Sequence, residues 1–193
     1  MRNGSRGTAP FAPLGLAALA VAGAVIGLLL AASVATSSAA PTAPASTAEQ
    51  KVAPGWDRLK SLVGEWQGSG KNGKTVNLSY RLVSGGTVLM ETIDAGGGEE
   101  NMVTMYHPDG DHLMMTHYCA ANNQPRMRAE KSNDPRSISF NFVDATNMAG
   151  ANTPHMHHLV MTFPDDDHLT EKWTFRDNGK DAMEEVFTLA RKK

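Results

Sequence analysis

Short runs of alternating apolar and polar residues fill the chain from residue 65 to its end. In the run 75–83, Val76, Leu78, Tyr80 and Leu82 fall on one face, and in 136–144 Ile138, Phe140 and Phe142 do the same. A period of two is typical of β-strands with one buried face. Turn residues such as Asn72-Gly73 separate the runs. The pattern predicts ten strands, at 65–71, 75–83, 87–94, 101–107, 112–120, 126–131, 136–144, 155–163, 168–176 and 183–190.

The predicted strands follow one another through short connections, so neighbours in sequence should be neighbours in space. Closing such a sheet on itself removes its exposed edges, which favours an up-and-down barrel over a two-sheet sandwich. Before the strands, Trp56, Leu59, Leu62 and Val63 recur at spacings of three and four, which predicts a short helix. The predicted fold class is therefore all-β, an antiparallel up-and-down β-barrel of about ten strands with a short N-terminal cap helix.

The N-terminal segment has a different pattern. Arg2 and Arg6 precede a nearly uncharged apolar run at 11–35, the order found in secretory signal peptides. Cleavage is expected after Ala35 or Ala39, although the run is also long enough for an uncleaved membrane anchor. Residues 36–53, rich in Ala, Ser, Thr and Pro, are expected to be a disordered linker. The prediction is a signal peptide or anchor at 1–35, a linker at 36–53 and an exported barrel domain at 54–193.

Composition excludes several classes of protein. With 18 Lys and Arg against 20 Asp and Glu, the net charge is −2, so nucleic acid is not an expected partner. The single cysteine excludes an internal disulfide and a zinc finger. The chain also lacks the nucleophile elbow, P-loop, HExxH and dinucleotide-binding motifs. No residue is predicted to be catalytic.

Polar residues on the apolar faces of the strands are the candidate functional residues, because a buried polar group needs a partner, water or a ligand. His155 and His157 share a face with Leu159, and Glu171 shares one with Trp173. The predicted ligand-binding residues are Tyr80, Glu91, Met115, His117, Cys119, His157, Met161, Glu171 and Trp173.

Each of these groups has more than one possible role. His155 and His157 could bind zinc or copper, with His117, Cys119 or Glu171 as a third ligand, or they could be solvated at a strand end. Glu91 and Glu171 could form a carboxylate pair with one raised pKa, or each could pair with Arg126 or Arg128. The ten methionines after Met1 could line an adaptable pocket or fill the core.

The first predicted strand carries a recognisable motif, Gly64-Glu65-Trp66-Gln67-Gly68-Ser69-Gly70. This G-x-W-x-G-x-G string resembles the opening of the calycin-like ten-stranded barrels, which include nitrobindin and secreted bacterial lipocalin-like domains of unknown function. The resemblance implies a ligand-binding barrel related in shape to fatty-acid-binding proteins. Nitrobindin-type barrels have a haem-ligating histidine in the last strand, whereas 183–190 contains none, so the resemblance does not carry haem binding over by position.

The sequence therefore supports three hypotheses. The first is an exported barrel that binds a small, mostly apolar molecule, with His117, His157 and Glu171 orienting its polar end and no cofactor. The alternative is a metal- or haem-binding protein or an enzyme using the same interior residues, with His117 or His157 as the axial ligand of a haem. The third is a filled barrel that serves as an interaction domain. A membrane is expected as a partner only through an uncleaved N-terminal segment.

Overall fold

Ten β-strands form one closed antiparallel sheet. The computed structural model of the protein describes residues 52–71, 73–96, 102–132 and 134–193, which all belong to one compact unit, Ser46–Lys193. A short helix, α1 (Trp56–Lys60), precedes the strands, and a 3-10 turn at Ser84–Gly86 joins the second strand to the third. The strands are β1 (Gly64–Ser69), β2 (Thr75–Val83), β3 (Val88–Asp94), β4 (Met102–Asp109), β5 (His112–Tyr118), β6 (Gln124–Ala129), β7 (Ser137–Thr146), β8 (His155–Thr162), β9 (His168–Asp177) and β10 (Lys180–Arg191).

Each strand pairs with its neighbours in sequence, and β1 pairs with β10 to close the barrel. This confirms the predicted up-and-down barrel with its cap helix. The predicted boundaries of β6 and β10 were wrong. Strand β6 begins earlier because Gln124 and Pro125 already pair with Thr146 and Ala145, and β10 begins at Lys180 in a hairpin with Asp177.

The up-and-down order gives the barrel two different ends. At one end, α1 buries Trp56 and Leu59, and the indole nitrogen of the buried Trp66 donates a hydrogen bond to the carbonyl oxygen of Leu62, 2.8 Å away. The guanidinium of Arg191 lies 4.3 Å from the centre of the Trp66 ring. We call this the helix end. The opposite end, where β1, β3, β5, β7 and β9 finish, is called the cavity end.

Gly68 lies where β1 and β10 close the barrel. A β-carbon added at Gly68 would come within 1.8 Å of the carbonyl oxygen of Thr188 and 2.9 Å of the α-carbon of Leu189. No side chain fits between atoms at these distances. The second glycine of the G-x-W-x-G-x-G motif is therefore required by the close approach of two backbones.

The predicted alternation describes most of the interior. Val76, Leu78 and Tyr80 are buried as expected, but Leu82 is 41% exposed because β2 ends one residue later, where the chain turns away. A bulge between Met156 and His158 interrupts the alternation of β8. Across a bulge the period of two no longer assigns residues to faces, so the shared interior face predicted for His155, His157 and Leu159 does not extend along the strand.

The predicted signal or anchor segment at 1–35 and most of the predicted linker lie outside the described residues. Within the part of the chain that the structure describes, no helix is long and apolar enough to cross a membrane.

Candidate ligand-binding site

A cavity of about 230 Å³ opens at the cavity end of the barrel. Most of its wall is apolar, and three methionines contribute to it. Its polar lining residues are His117, Trp173 and Glu185. The apolar side chains of the wall include Val76, Ile93, Met102, Met156, Met183 and Phe187.

A larger groove of about 890 Å³ lies beside α1 at the helix end. Several of its charged side chains already have partners. Arg58 contacts Asp166 at 2.7 Å, and Lys131 contacts Asp111 at 2.8 Å. Of these two cavities, the smaller is the candidate site, because its wall includes the buried polar residue His117 and that of the larger groove includes no buried polar residue of the barrel interior.

His117, near the end of β5, is the buried polar residue of the cavity wall. Its side chain is 1% exposed, and its ring lies 4.6 Å from that of Trp173. The Nδ1 atom is 3.0 Å from the hydroxyl oxygen of Thr104, whereas Nε2 is buried without a protein partner. Burial lowers the pKa of His117 to about 4, so the imidazole is neutral at pH 7.

Behind His117, two carboxyl groups lie inside the barrel with no exposure to solvent. Tyr80 contacts both Glu91, at 2.9 Å, and Glu171. Tyr106 donates a hydrogen bond to the other oxygen of Glu91 at 2.9 Å, and the indole nitrogen of Trp173 donates one to Glu171 at 3.0 Å. Tyrosine and tryptophan side chains therefore hold the two carboxyl groups together.

The hydrogen bonds assign a proton to this pair. The Tyr80 hydroxyl has one hydrogen but contacts two carboxyl oxygens, so one carboxyl group must donate to it. Burial raises the pKa of Glu171 well above its ordinary value, and the negative charge of Glu91 raises it further. Burial also raises the pKa of Glu91, but hydrogen bonds from Glu171, Tyr106, Tyr80 and Thr104 oppose that rise. Glu171 is therefore the protonated member and Glu91 the ionised one.

The carboxyl pair corresponds to one of the two roles considered for Glu91 and Glu171. The proposed pairing of interior glutamates with arginine is wrong. Arg126 donates to Asp144 through Nε at 2.6 Å, with both side chains about half exposed, and Arg128 is exposed. Inside the barrel, the hydroxyls of Tyr80 and Tyr106 donate hydrogen bonds to Glu91. These hydroxyls and one shared proton replace the positive charge that an arginine would supply.

The remaining predicted residues occupy several places. Met115 and Met161 are fully buried in the core, and Met161 faces Glu171 across the β8–β9 ladder. Cys119 follows the end of β5 and is half-buried in a turn that Asn122 and Asn123 close with backbone hydrogen bonds. Neither methionine lines the cavity, and Cys119 does not line it either.

His155 and His157 form a separate cluster on β8. Their Nε2 and Nδ1 atoms lie 3.1 Å apart, and both rings pack against Phe142, at 4.4 and 5.1 Å. At the bulge, Met156 is the residue that lines the cavity. Among the described residues, no group of three or more His, Cys, Asp or Glu side chains has the arrangement of a metal site. Metal binding by His155 and His157 stays a prediction.

Thr104 and Tyr106 were not predicted from the sequence. Both are completely buried and lie on one face of β4. Their spacing of two residues was the available signal, since a threonine and a tyrosine two positions apart on a strand share a face. Their role depends on Glu91 and His117, which belong to other strands, and no local pattern predicts that.

Comparison with known proteins adds a similarity in structure. No family model matches the chain, and no curated protein matches it. Among solved structures, the chain is similar to Rv2717c from M. tuberculosis, with 15% sequence identity, a TM-score of 0.48, and coverage of 74% of this chain and 99% of that one.

Proposed function

We propose that the protein binds a small, mostly apolar molecule in the cavity, with His117 as its polar contact. The observation that carries this proposal is the Nε2 atom of His117, which is buried without a partner at an otherwise apolar wall. A buried polar atom without a partner costs roughly 1–3 kcal/mol. A ligand that forms a hydrogen bond with Nε2 removes this cost.

The size of the cavity limits the ligand. Sites for drug-sized molecules have volumes of roughly 300–1,000 Å³, so a cavity of about 230 Å³ suits a smaller molecule, such as one with a single ring. A haem exceeds that size, and the barrel would have to open to admit it. The closed barrel and its cavity are therefore compatible with a small ligand.

The methionines of the wall favour an adaptable site. Met102, Met156 and Met183 come from three different strands and line the cavity together. Their unbranched side chains and polarisable sulfur atoms adjust to ligands of different shapes. This supports the prediction that part of the methionine content serves ligand binding, while Met115 and Met161 fill the core.

We predict that replacing Ala95 by phenylalanine abolishes binding. Ala95 lines the cavity, and a phenyl ring there would occupy much of its volume without touching the hydrogen-bond network. Benzyl alcohol is titrated into the full chain labelled with ¹³C at the methionine methyl groups. We expect saturable shifts at Met102, Met156 and Met183 in the wild-type protein and none in the variant.

Thr92→Phe is the matched control, because Thr92 follows Glu91 on β3 and does not line the cavity. This variant should bind as the wild type does, and the methyl signals of the buried Met115 and Met161 should shift little in either protein. If benzyl alcohol, anisole and toluene all fail to give saturable shifts in the wild type, the protein does not use this cavity and the proposal is wrong.

We also propose that the protein is exported. The basic residues Arg2 and Arg6, followed by the apolar run 11–35, support this proposal. The full chain is produced in a bacterial host, the cells are fractionated, and the N-terminus of the product is sequenced. We expect a periplasmic product that begins after Ala35 or Ala39. A product retained in the membrane would indicate an uncleaved anchor, and a cytoplasmic product with the intact N-terminus would contradict export.

A further inference from the structure

Among the described residues of its wall, the cavity offers its ligand one buried side-chain atom that has no hydrogen-bond partner. Five buried side-chain atoms among the described residues have no hydrogen-bond partner. His117 Nε2 is the member of this set that lines the cavity. The other polar side chains of the wall have protein partners, since Trp173 donates to Glu171 and Glu185 accepts a hydrogen bond from the backbone N–H of Lys71. The hydrogen-bond character of Nε2 therefore determines which ligands are accepted.

The buried network determines that character. Glu91 is ionised and accepts hydrogen bonds from Tyr80 and Tyr106. Thr104 lies directly opposite Glu91 across the β3–β4 ladder, and both side chains are completely buried. The carboxylate is the strongest acceptor beside the Thr104 hydroxyl, so we assign the hydroxyl hydrogen to it. A hydroxyl that has given its hydrogen to a carboxylate can only accept from a further neighbour. The Nδ1 atom of His117, 3.0 Å from Thr104, must then carry the proton. In a neutral imidazole, this leaves Nε2 with a lone pair and no hydrogen.

The charges around the cavity also disfavour an anionic ligand. No lysine or arginine is among the described residues of its wall, whereas Glu185 is. The ionised Glu91 lies behind His117 and its nearest polar neighbour, Thr104. A carboxylate ligand would meet a lone pair and negative charges with no cation to compensate them.

We infer that the cavity selects uncharged molecules that carry a hydroxyl or N–H group, which donates a hydrogen bond to Nε2 of His117, and that it rejects anions. This inference rests on the proposed function and specifies its ligand class. Thr104 is the positioning residue, since it fixes the tautomer of His117 without touching the ligand. The carboxyl pair holds Thr104 in the required orientation through Glu91.

The tautomer is tested first, in the ligand-free full chain. Two-bond ¹H–¹⁵N correlation spectra of ¹⁵N-labelled protein distinguish a protonated imidazole nitrogen from one with a lone pair. At pH 7 we expect His117 to show a protonated Nδ1 and an unprotonated Nε2. A protonated Nε2 would overturn the inference while leaving ligand binding itself possible.

Ligand selection is tested with three probes built on one benzene ring. Benzyl alcohol and anisole are isomers that differ in having or lacking an O–H donor, and benzoate adds a negative charge. We expect benzyl alcohol to bind about ten-fold more tightly than anisole, the value of one hydrogen bond, and benzoate to bind more weakly than either. Equal affinities of the two isomers, or tightest binding of benzoate, would overturn the inference. Failure of all three probes would instead overturn the proposed function.

Thr104→Val separates the role of Thr104 from that of the cavity. Valine keeps the shape but removes the hydroxyl, so His117 loses its fixed tautomer. We expect a mixed or reversed tautomer in the ¹⁵N spectrum and a ratio of the two affinities that falls toward one. Thr116→Val, beside His117 on β5, is the control and should keep both properties. Unchanged discrimination in a folded Thr104→Val protein would contradict the role of Thr104.

Discussion

Replacing Gly68 by alanine is expected to lower the free energy of unfolding by at least about 3 kcal/mol. The added β-carbon would lie 1.8 Å from the carbonyl oxygen of Thr188, and a backbone atom cannot move aside as a flexible side chain can. Strands β1 and β10 would have to separate, which breaks the ladder that closes the barrel. Urea unfolding followed by circular dichroism measures the difference.

Gly150→Ala is the control for this variant. No atom lies within 4 Å of a β-carbon added at Gly150, and the φ angle of Gly150 is not positive. Its replacement should change the free energy of unfolding by less than about 0.5 kcal/mol. Equal stability of the Gly68→Ala and Gly150→Ala proteins would mean that the barrel does not close through β1 and β10 in the way described.

The second large effect is expected at the buried carboxyl pair. Glu171→Gln should retain or increase stability at pH 7, because glutamine imitates a protonated glutamic acid that donates to Tyr80 and accepts from Trp173. Glu91→Gln should cost about 1–3 kcal/mol, since an amide group replaces a carboxylate that accepts hydrogen bonds from Tyr80 and Tyr106. Unfolding of both variants at pH 7 gives the comparison.

The pH dependence follows from the raised pKa of Glu171, which burial and the charge of Glu91 cause. The unfolded chain releases the proton of Glu171 above about pH 4.3, whereas the folded protein keeps it. The contribution of Glu171 to the free energy of unfolding is therefore fully present below about pH 4.3. It is lost as the pH rises toward the folded pKa. Below about pH 6.5, His117 opposes the trend, because burial lowers its pKa to about 4 and the unfolded chain binds a proton that the folded protein does not.

Of these two groups, only Glu171 therefore changes the stability with pH above pH 7. Between pH 7 and 8, the stability of the wild type relative to Glu171→Gln should fall as the pH rises, and the upper limit of this slope for one proton is about 1.4 kcal/mol per pH unit. The raised pKa values of Tyr80 and Tyr106 keep both hydroxyls protonated in this range. If the two glutamine variants are equally stable and the wild type shows no slope relative to Glu171→Gln, the shared proton is not present.

Local patterns were sufficient to predict the barrel. The alternation in β2 and the turn residues between strands identified ten segments, because one face of each strand is buried and tight connections restrict the residues that can form them. The bulge in β8 was not predictable, since His155-Met156-His157-His158 reads as regular alternation until the pairing with β9 is known.

The candidate site was predicted in part. Tyr80, His117, Glu171 and Trp173 were named because each is a polar or aromatic residue on an apolar face. The sequence could not show that Thr104 joins His117 to Glu91, because this contact depends on three strands and on the curvature of the barrel. The same limit explains why arginine was considered as the partner of the glutamates.

A crystal structure of the protein with benzyl alcohol shows whether a small molecule enters the cavity and forms a hydrogen bond with His117. We predict the ring between Met102, Met156 and Phe187, and the hydroxyl oxygen about 2.8 Å from Nε2 of His117. An empty cavity at an alcohol concentration that saturates the methionine shifts, or a hydroxyl directed away from His117, would show that His117 is not the polar contact of a ligand in this cavity.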